Sequence, residues 1–199
     1  MRKEWAIVTA VVAVVGGLLY GISLAAGAGK GTEPGQTAPD FALKDTYGKD
    51  FKLSDFKGKT VVLEWLNKGC PISRGAHEKQ EMQKVYKKYA AKGVVWLGID
   101  STEGAQLDEN RVYAAELGLA YPILHDPDAI AAKAYGATNT PHMFVINKDG
   151  KLVYAGAIDD KADKNYVAAA IDDLLAGKPV SKPKTEAYGC TLKNSKLRS

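Results

Sequence analysis

The segment Thr60-Val-Val-Leu-Glu-Trp-Leu-Asn-Lys-Gly-Cys70-Pro71 decides the fold, because it predicts a buried strand that runs directly into a helix. The apolar run over 61–66 has the length and the β-branched content of a strand in the middle of a sheet. Pro71 suits the first position of a helix, where its missing N–H has no helical partner anyway. Cys70 is therefore expected at the N-cap of the helix.

A cysteine in this position is typical of a reactive thiol. The unpaired N–H groups and the positive end of the helix dipole stabilise a thiolate, which lowers the pKa of Cys70 below the value of a free thiol, ~8.5. Arg74 follows four residues later on the same helix face and adds a positive charge nearby. The alternative is an inert structural cysteine, the common fate of a single cysteine in a core. We favour the reactive thiol because helix N-termini activate thiols.

Length and composition limit the classes of function. At 199 residues the chain is long enough for one domain with a full hydrophobic core. Its 27 basic and 23 acidic residues are mixed along the sequence, so no basic face for nucleic acid is predicted. Two cysteines, Cys70 and Cys190, are too few for a paired zinc site, and no Cys, His and carboxylate group has metal-site spacing. We expect no metal, no other cofactor and no nucleic-acid partner.

Residues 1–28 have the features of a targeting segment. Arg2 and Lys3 precede a charge-free stretch over 5–29, and Ala26-Gly-Ala28 fits the A-x-A pattern of a cleavage site. As a helix, the apolar stretch would extend ~36 Å, enough to cross a bilayer. We expect an exported, periplasmic or otherwise extracytoplasmic protein with a cleaved signal peptide; an uncleaved membrane anchor is the alternative. In that compartment a disulfide can persist.

The rest of the chain divides into three parts. Residues 29–38, rich in Gly, Thr and Pro, are expected to form a linker, and residues 39–177 a folded domain. Residues 178–199 are polar and irregular, and they form a tail that carries Cys190. We expect this tail to be mobile.

Periodicity within the domain predicts alternating strands and helices. Apolar and polar residues alternate on both sides of Tyr47-Gly48, which indicates a β-hairpin. The predicted helices are 73–91, 105–117, 127–135 and 164–175, and the later strands are 61–66, 94–99, 121–124, 143–146 and 152–157. This order indicates an α/β fold with a mixed central β-sheet, helices on both faces and an N-terminal β-hairpin.

Five short motifs, in this order, resemble the redoxins, the AhpC/TSA or peroxiredoxin-like branch of the thioredoxin-fold superfamily. They are Ala38-Pro-Asp-Phe41, Leu53-Ser-Asp-Phe-Lys-Gly-Lys59, Cys70-Pro71 after a strand, Thr140-Pro141 before a strand, and Asn147-Lys-Asp-Gly150. The resemblance covers about 39–175 and implies a thioredoxin-like fold. Three segments further resemble an exported subgroup with one active-site cysteine: Thr140-Pro-His-Met-Phe-Val145, Leu152-Val-Tyr-Ala-Gly-Ala-Ile-Asp-Asp160 and Tyr188-Gly-Cys-Thr-Leu-Lys193.

At the active site the chain departs from both the thioredoxin motif and the peroxiredoxin motif. Thioredoxins use C-x-x-C, whose first position falls on Asn67 and leaves only Cys70. Peroxiredoxins use P-x-x-x-T-x-x-C, in which the Pro falls on Leu63 and the Thr on Asn67. The distant Arg that helps to polarise peroxide aligns with Pro141. The absence of these helpers disfavours fast peroxide reduction.

The resemblance also implies a substrate-binding region around Thr140-Pro141-His142. In thioredoxins a cis-proline lies beside the active cysteine and presents backbone groups to a substrate peptide, and Pro141 matches it. The alternative is that Pro141 only begins an edge strand. His142 is close enough in sequence to tune the site.

Two other side chains near Cys70 have competing interpretations. The Asn67 amide could donate a hydrogen bond to a bound peroxide or thiol, or Asn67 could simply form a turn. His77 could act as a base toward Cys70, although a surface histidine on the helix is the interpretation we favour. His125 is expected to be structural.

Cys190 completes the functional hypothesis, because a thiol that forms a mixed disulfide or sulfenic acid needs a resolving partner. We expect an exported thiol oxidoreductase in which Cys70 attacks an oxidised sulfur or peroxide oxygen, with support from Asn67 and Arg74. Cys190 then resolves the adduct, and an external thiol donor reduces the resulting disulfide. Disulfide exchange is favoured over peroxide reduction.

Other roles for the two cysteines remain open at this point. Cys190 could stay free or pair permanently with Cys70, and a bridge of that span would stabilise by ~4 to 5 kcal/mol without any catalysis. The domain could then be a non-catalytic binding or scaffold module that holds an extended peptide beside Pro141.

Overall fold

A computed structural model describes residues 31–198, so the predicted signal or anchor segment 1–28 and the first two linker residues lie outside the described residues. The strands are β1 (Ala42–Asp45), β2 (Asp50–Lys52), β3 (Val61–Trp65), β4 (Val95–Asp100), β5 (Ile123–His125), β6 (Asn139–Thr140), β7 (His142–Ile146), β8 (Leu152–Gly156) and β9 (Cys190–Thr191). The helices are α1 (Pro71–Glu78), α2 (Glu81–Ala90), α3 (Leu107–Leu117), α4 (Ile130–Tyr135) and α5 (Tyr166–Leu175). Within 31–198 no helix is long and apolar enough to cross a membrane.

Seven strands form one mixed sheet in the order β2-β1-β5-β4-β3-β7-β8, and β6 pairs with β9 in a separate ribbon. The central strands β3, β4 and β5 are parallel, while β1, β7 and β8 are antiparallel to their neighbours. Every residue of β3 is buried, the four apolar residues as expected for a central strand and Glu64 with them. The predicted mixed sheet is confirmed.

The two faces of the sheet carry separate cores. On one face, Trp65 and Phe144 pack against Tyr135 of α4 with ring centroids 5.0 to 5.5 Å apart. On the other face, α2 and α5 cover the sheet with residues such as Tyr89 and Ile171. Helices on both faces therefore match the predicted α/β architecture.

The predicted N-terminal hairpin is present, and one side chain shapes its turn. The Asp45 carboxylate accepts hydrogen bonds from the N–H groups of Tyr47 (2.8 Å) and Lys49 (2.9 Å). Gly48 adopts the positive φ of 83° that this tight turn needs. Strand β1 then joins the sheet beside β5.

The helix predicted over 73–91 is instead two helices. Gln80 adopts a left-handed conformation, φ 61°, between α1 and α2. The amide of Gln83 donates to the carbonyl oxygens of His77 (3.0 Å) and Leu117 (2.9 Å), and the His77 carbonyl also accepts from the Gln80 N–H, so the end of α1 is tied to the start of α2 and to α3. Periodicity could not show this break, because the apolar residues on both sides keep helical spacing.

The described part of the tail 178–199 is largely irregular, as the sequence predicts, but it is packed against the domain where we expected a mobile segment. The Thr185 N–H donates to the Ala155 carbonyl (3.1 Å), so the tail runs along the outer edge of β8, the last strand of the sheet. Farther on, Leu192 is only 4% exposed and Asn194 only 2%. The tail is thus packed against the domain on both sides of Cys190.

Replacing Asn194 with alanine should lower the free energy of unfolding by about 1–3 kcal/mol, because two carbonyl groups of the domain lose their hydrogen-bond donor. Asn194 Nδ2 lies 2.9 Å from the carbonyl oxygens of Ser101 and Pro127. Urea unfolding of the oxidised protein measures the change. The exposed neighbour Lys193 is the matched control, and Lys193→Ala should shift stability by about 0.5 kcal/mol or less. Equal losses in the two variants would contradict this account of the tail.

Candidate redox site

Cys70 is the N-cap of α1, as the sequence predicts. Its backbone is extended (φ −90°, ψ 115°), and Pro71 occupies the first helical position. The Ser73 N–H points at the Cys70 sulfur with an N···S distance of 3.4 Å, and the Arg74 N–H donates to the Cys70 carbonyl at 2.8 Å. The sulfur therefore takes the place that a capping oxygen has in other helices.

Cys70 and Cys190 form a disulfide although 120 positions separate them in the sequence. Their Cα atoms are 5.9 Å apart, within the usual range for a disulfide. Strand β9 brings Cys190 into place by pairing it with Thr140, whose carbonyl oxygen lies 3.1 Å from the Cys70 sulfur. The structure thus answers a question that the sequence left open, since the two cysteines are bonded to each other.

Gly189 allows the tail to approach this closely. Its φ is 118°, a conformation that other residues rarely adopt. A Cβ atom at this position would lie 2.2 Å from the Thr140 carbonyl oxygen and 3.2 Å from the Pro141 ring. The residue before Cys190 must therefore lack a side chain.

The Thr140–Pro141 peptide bond is cis, as the resemblance implies. The backbone edge beside it, where a substrate peptide was expected, is occupied by the protein's own tail, since Asn139 pairs with Thr191 and Thr140 with Cys190. The substrate-binding edge is thus covered in the disulfide form.

Asn67 forms the turn between β3 and α1. Its Oδ1 accepts a hydrogen bond from the Gly69 N–H at 2.6 Å, and its carbonyl accepts one from the Cys70 N–H at 3.0 Å. The amide Nδ2 donates to the Thr102 hydroxyl at 2.9 Å. Of the two interpretations, the geometry shows the turn role, because the amide group is directed at Thr102.

Arg74 is directed at carboxylates instead of the sulfur. Its Nε lies 2.7 Å from Glu78 and a terminal nitrogen lies 3.8 Å from Glu116. The hydrogen bond to Glu78 raises the pKa of Arg74. The positive charge that we expected to support the Cys70 thiolate is therefore largely balanced by these two acids.

The expectation that His77 lies on the surface is wrong. His77 is fully buried, with Nε2 2.7 Å from the buried Glu64 carboxylate and Nδ1 2.7 Å from the Tyr113 hydroxyl. Trp96 and Tyr121 donate to the other Glu64 oxygen at 2.8 and 2.9 Å. The sequence signal for this cluster was a glutamate in the middle of a buried strand, since a buried charge needs a partner.

Ser73 is a site residue that sequence reasoning missed. It is fully buried, its N–H contacts the Cys70 sulfur, and its hydroxyl lies 3.4 Å from the Asn67 N–H. Burial raises the pKa of the nearby Tyr113, and the Ser73 side chain acts in the opposite direction. Our register placed the first cysteine of C-x-x-C on Asn67, but Asn67 lies in the turn and Cys70 is the N-cap, so the pair would start at Cys70 and Ser73 stands where its second cysteine would be.

His142 is buried beside the site and stacks on Phe144 with ring centroids 4.5 Å apart. Its Nδ1 accepts a hydrogen bond from the Thr138 N–H at 3.3 Å. Burial, with a smaller contribution from Lys184, lowers the pKa of His142 to about 4. His142 is therefore neutral at ordinary pH and holds the loop before β6.

A model of the AhpC/TSA family matches residues 34–155. Among known proteins, the thiol-disulfide oxidoreductase ResA of Bacillus thuringiensis subsp. konkukian is 34% identical over 122 residues, which cover 61% of this chain and 68% of that protein. The matched region of the family model ends before the tail that carries Cys190.

Solved structures show the same fold. A hypothetical protein of Sinorhizobium meliloti superimposes with a TM-score of 0.76 at 27% identity, covering 83% of this chain and 97% of that protein. The thioredoxin domain of a thiol-disulfide oxidoreductase from Bacteroides vulgatus superimposes with a TM-score of 0.55 at 24% identity, covering 62% of this chain and 88% of that domain. The predicted thioredoxin-like fold is confirmed.

Replacing His77 with leucine should destabilise the protein by about 3–5 kcal/mol, because Glu64 would stay buried without its basic partner. Replacing Glu64 with glutamine in the same protein removes the buried charge, so the double variant should be less destabilised than the sum of the single variants. Chemical unfolding of the two single variants and the double variant measures this coupling. Strictly additive effects would show that the two side chains do not act as a pair.

The buried His142 should make the fold less stable in mild acid. In the unfolded chain its pKa is about 6.5, so between that pH and its folded pKa of about 4 the unfolded state binds more protons and stability falls with falling pH. This group alone should cost about 2 kcal/mol between about pH 7 and pH 5. His142→Gln should lose correspondingly less in urea unfolding at the two pH values. Parallel losses in the variant and the native protein would contradict the assignment.

Proposed function

Because the chain belongs to the AhpC/TSA family, we propose that it is a thiol-disulfide oxidoreductase whose redox centre is the Cys70–Cys190 pair. The observation that carries this proposal is the disulfide between a helix N-cap cysteine and the tail cysteine. A sulfur at a helix N-terminus is stabilised as a thiolate, and a second thiol held against it can resolve an adduct.

The reaction proceeds in two exchange steps. In the reduced protein, the Cys70 thiolate attacks one sulfur of a substrate disulfide and releases the first substrate thiolate, leaving the other half bonded to Cys70. Cys190, deprotonated, then attacks the Cys70 sulfur and releases the second substrate thiolate. Two electrons pass from the protein dithiol to the substrate, and the protein disulfide forms. The Ser73 N–H stabilises the Cys70 sulfur whenever it carries negative charge.

Geometry favours a disulfide substrate over a peroxide. The positions that hold the helping Pro, Thr and Arg in peroxiredoxins carry Leu63, Asn67 and Pro141. Asn67 does not replace the missing hydroxyl, since its amide donates to Thr102. The polarising hydrogen bonds that a fast peroxidase needs are therefore missing from these positions.

A purely peptide-binding role is less well supported. The edge beside Pro141 that would hold a peptide is already paired with β9 in the disulfide form. A binding module would need this edge free, whereas a redox protein needs Cys190 beside Cys70.

We further propose that the protein acts outside the cytoplasm, with an oxidised thiol as substrate and an external thiol as electron donor. The features of residues 1–28 support export, and a disulfide persists in an oxidising compartment. Whether the segment is cleaved or anchors the protein is decided by fractionation: an anchored form stays with membranes after a high-salt wash, and a cleaved form does not.

The first test is a count of free thiols together with the intact mass of the folded protein. The protein as isolated should contain one internal disulfide, lose it in dithiothreitol, and regain it with oxidised glutathione. Steady-state reduction of a model disulfide should be lost in Cys70→Ser and Cys190→Ser. The exposed neighbour Thr191 is the control, and Thr191→Ser should keep the native rate. Activity retained in Cys70→Ser, or a disulfide that dithiothreitol leaves intact in the folded protein, would overturn the proposal.

A further inference from the structure

The two cysteines of the disulfide differ in their exposure to solvent. Cys70 is 2% exposed, because it lies at the start of α1 against the Thr140 carbonyl and is bonded to the tail. Cys190 is partly exposed, and its neighbours Gly189 and Thr191 are exposed. An external thiolate must reach one of the two sulfurs in order to reduce the bond. The difference in exposure therefore favours attack of the external thiolate on Cys190.

The stability of the leaving thiolate also favours attack at the Cys190 sulfur. In thiol-disulfide exchange, the thiolate that is better stabilised leaves faster. Attack on Cys190 expels Cys70, whose sulfur faces the Ser73 N–H at the positive end of α1. Attack on Cys70 would instead expel Cys190, which lies in a short strand and has no helix N-terminus of its own.

The tail contacts keep Cys190 in this position while it exchanges. Before Cys190, the Tyr188 hydroxyl donates to Asp159 at 2.6 Å. After it, the Leu192 N–H donates to the Thr138 carbonyl at 2.8 Å, and the Leu192 side chain is buried. Because both flanks are anchored without the disulfide, a partner can meet Cys190 at the surface with the tail still in place.

We propose that Cys190 is the sulfur that faces the electron donor: the donor thiolate attacks Cys190, forms its mixed disulfide there, and releases Cys70 as the thiolate. This inference rests on the proposed function and adds the route by which electrons enter. A second donor thiolate then attacks the donor sulfur of the mixed disulfide and releases Cys190. Two donor thiols become one donor disulfide, and the two protein thiolates take protons from water according to pH.

The proposal concerns the oxidised protein and is compatible with Cys70 as the nucleophile of the reduced protein. In the oxidised protein, the Cys190 sulfur is one of the atoms that shield the Cys70 sulfur. Once that bond is broken, the Cys190 side chain can rotate to another rotamer while the tail backbone stays in place, and the Cys70 thiolate can then meet an oxidised substrate. The two cysteines thus face different partners in the two halves of the cycle.

The test maps the first mixed disulfide on the native protein. Oxidised protein is mixed with glutathione for short times, quenched with acid, alkylated, digested, and analysed by mass spectrometry. Glutathione should be found on Cys190 at least about tenfold more than on Cys70, as differences in access and leaving group predict. The control is the same reaction in denaturant, where the fold no longer covers Cys70 and both cysteines should be modified to similar extents.

The outcomes separate this inference from the proposed function. Glutathione mainly on Cys70, or equally on both cysteines of the folded protein, would overturn the inference and leave the redox function standing. No adduct on either cysteine, over times that modify the denatured protein fully, would overturn both. Enrichment on Cys190 that disappears in denaturant is the result that supports the inference.

Discussion

The sulfur of Cys70 is the atom on which the rest of the site depends. It caps helix α1 through the Ser73 N–H, lies against the Thr140 carbonyl, and bonds to Cys190. The same helix N-terminus that orients the sulfur also stabilises it as a thiolate. The strand-to-helix transition before Pro71 therefore determines both the position of the Cys70 sulfur and its reactivity.

The tail is a second constraint, because it is part of the fold as well as the carrier of a cysteine. The Thr185 N–H donates to the Ala155 carbonyl on β8, Gly189 permits close approach to Thr140, and Asn194 is buried against two carbonyl groups. In the chain-entropy model, a bridge that closes so long a loop adds ~4 to 5 kcal/mol of stability. Since the tail also has its own contacts, the bond can open and close without loss of the tail's position.

The buried cluster around Glu64 lies under the same helix. His77 on α1 contacts both the Glu64 carboxylate on β3 and the Tyr113 hydroxyl on α3. A buried ion pair adds little net stability on its own, but loss of either partner is costly. The cluster therefore holds α1 in one position relative to β3, and with it the geometry of the N-cap.

Local features could be predicted from the sequence because neighbouring residues determine them. The buried strand before Asn67, the N-cap at Cys70 and the hairpin at Gly48 depend on turn chemistry and periodicity within a few positions, and family motifs located Pro141. Tertiary structure alone decided the burial of His77, the break at Gln80, the partner of Arg74 and the packing of the tail. In each of these cases the partner is distant in the chain or the choice lies between several nearby groups. The pairing of Cys70 with Cys190 belongs to both levels: the sequence limits the choice to two cysteines, but only the β6–β9 pairing brings their sulfurs together.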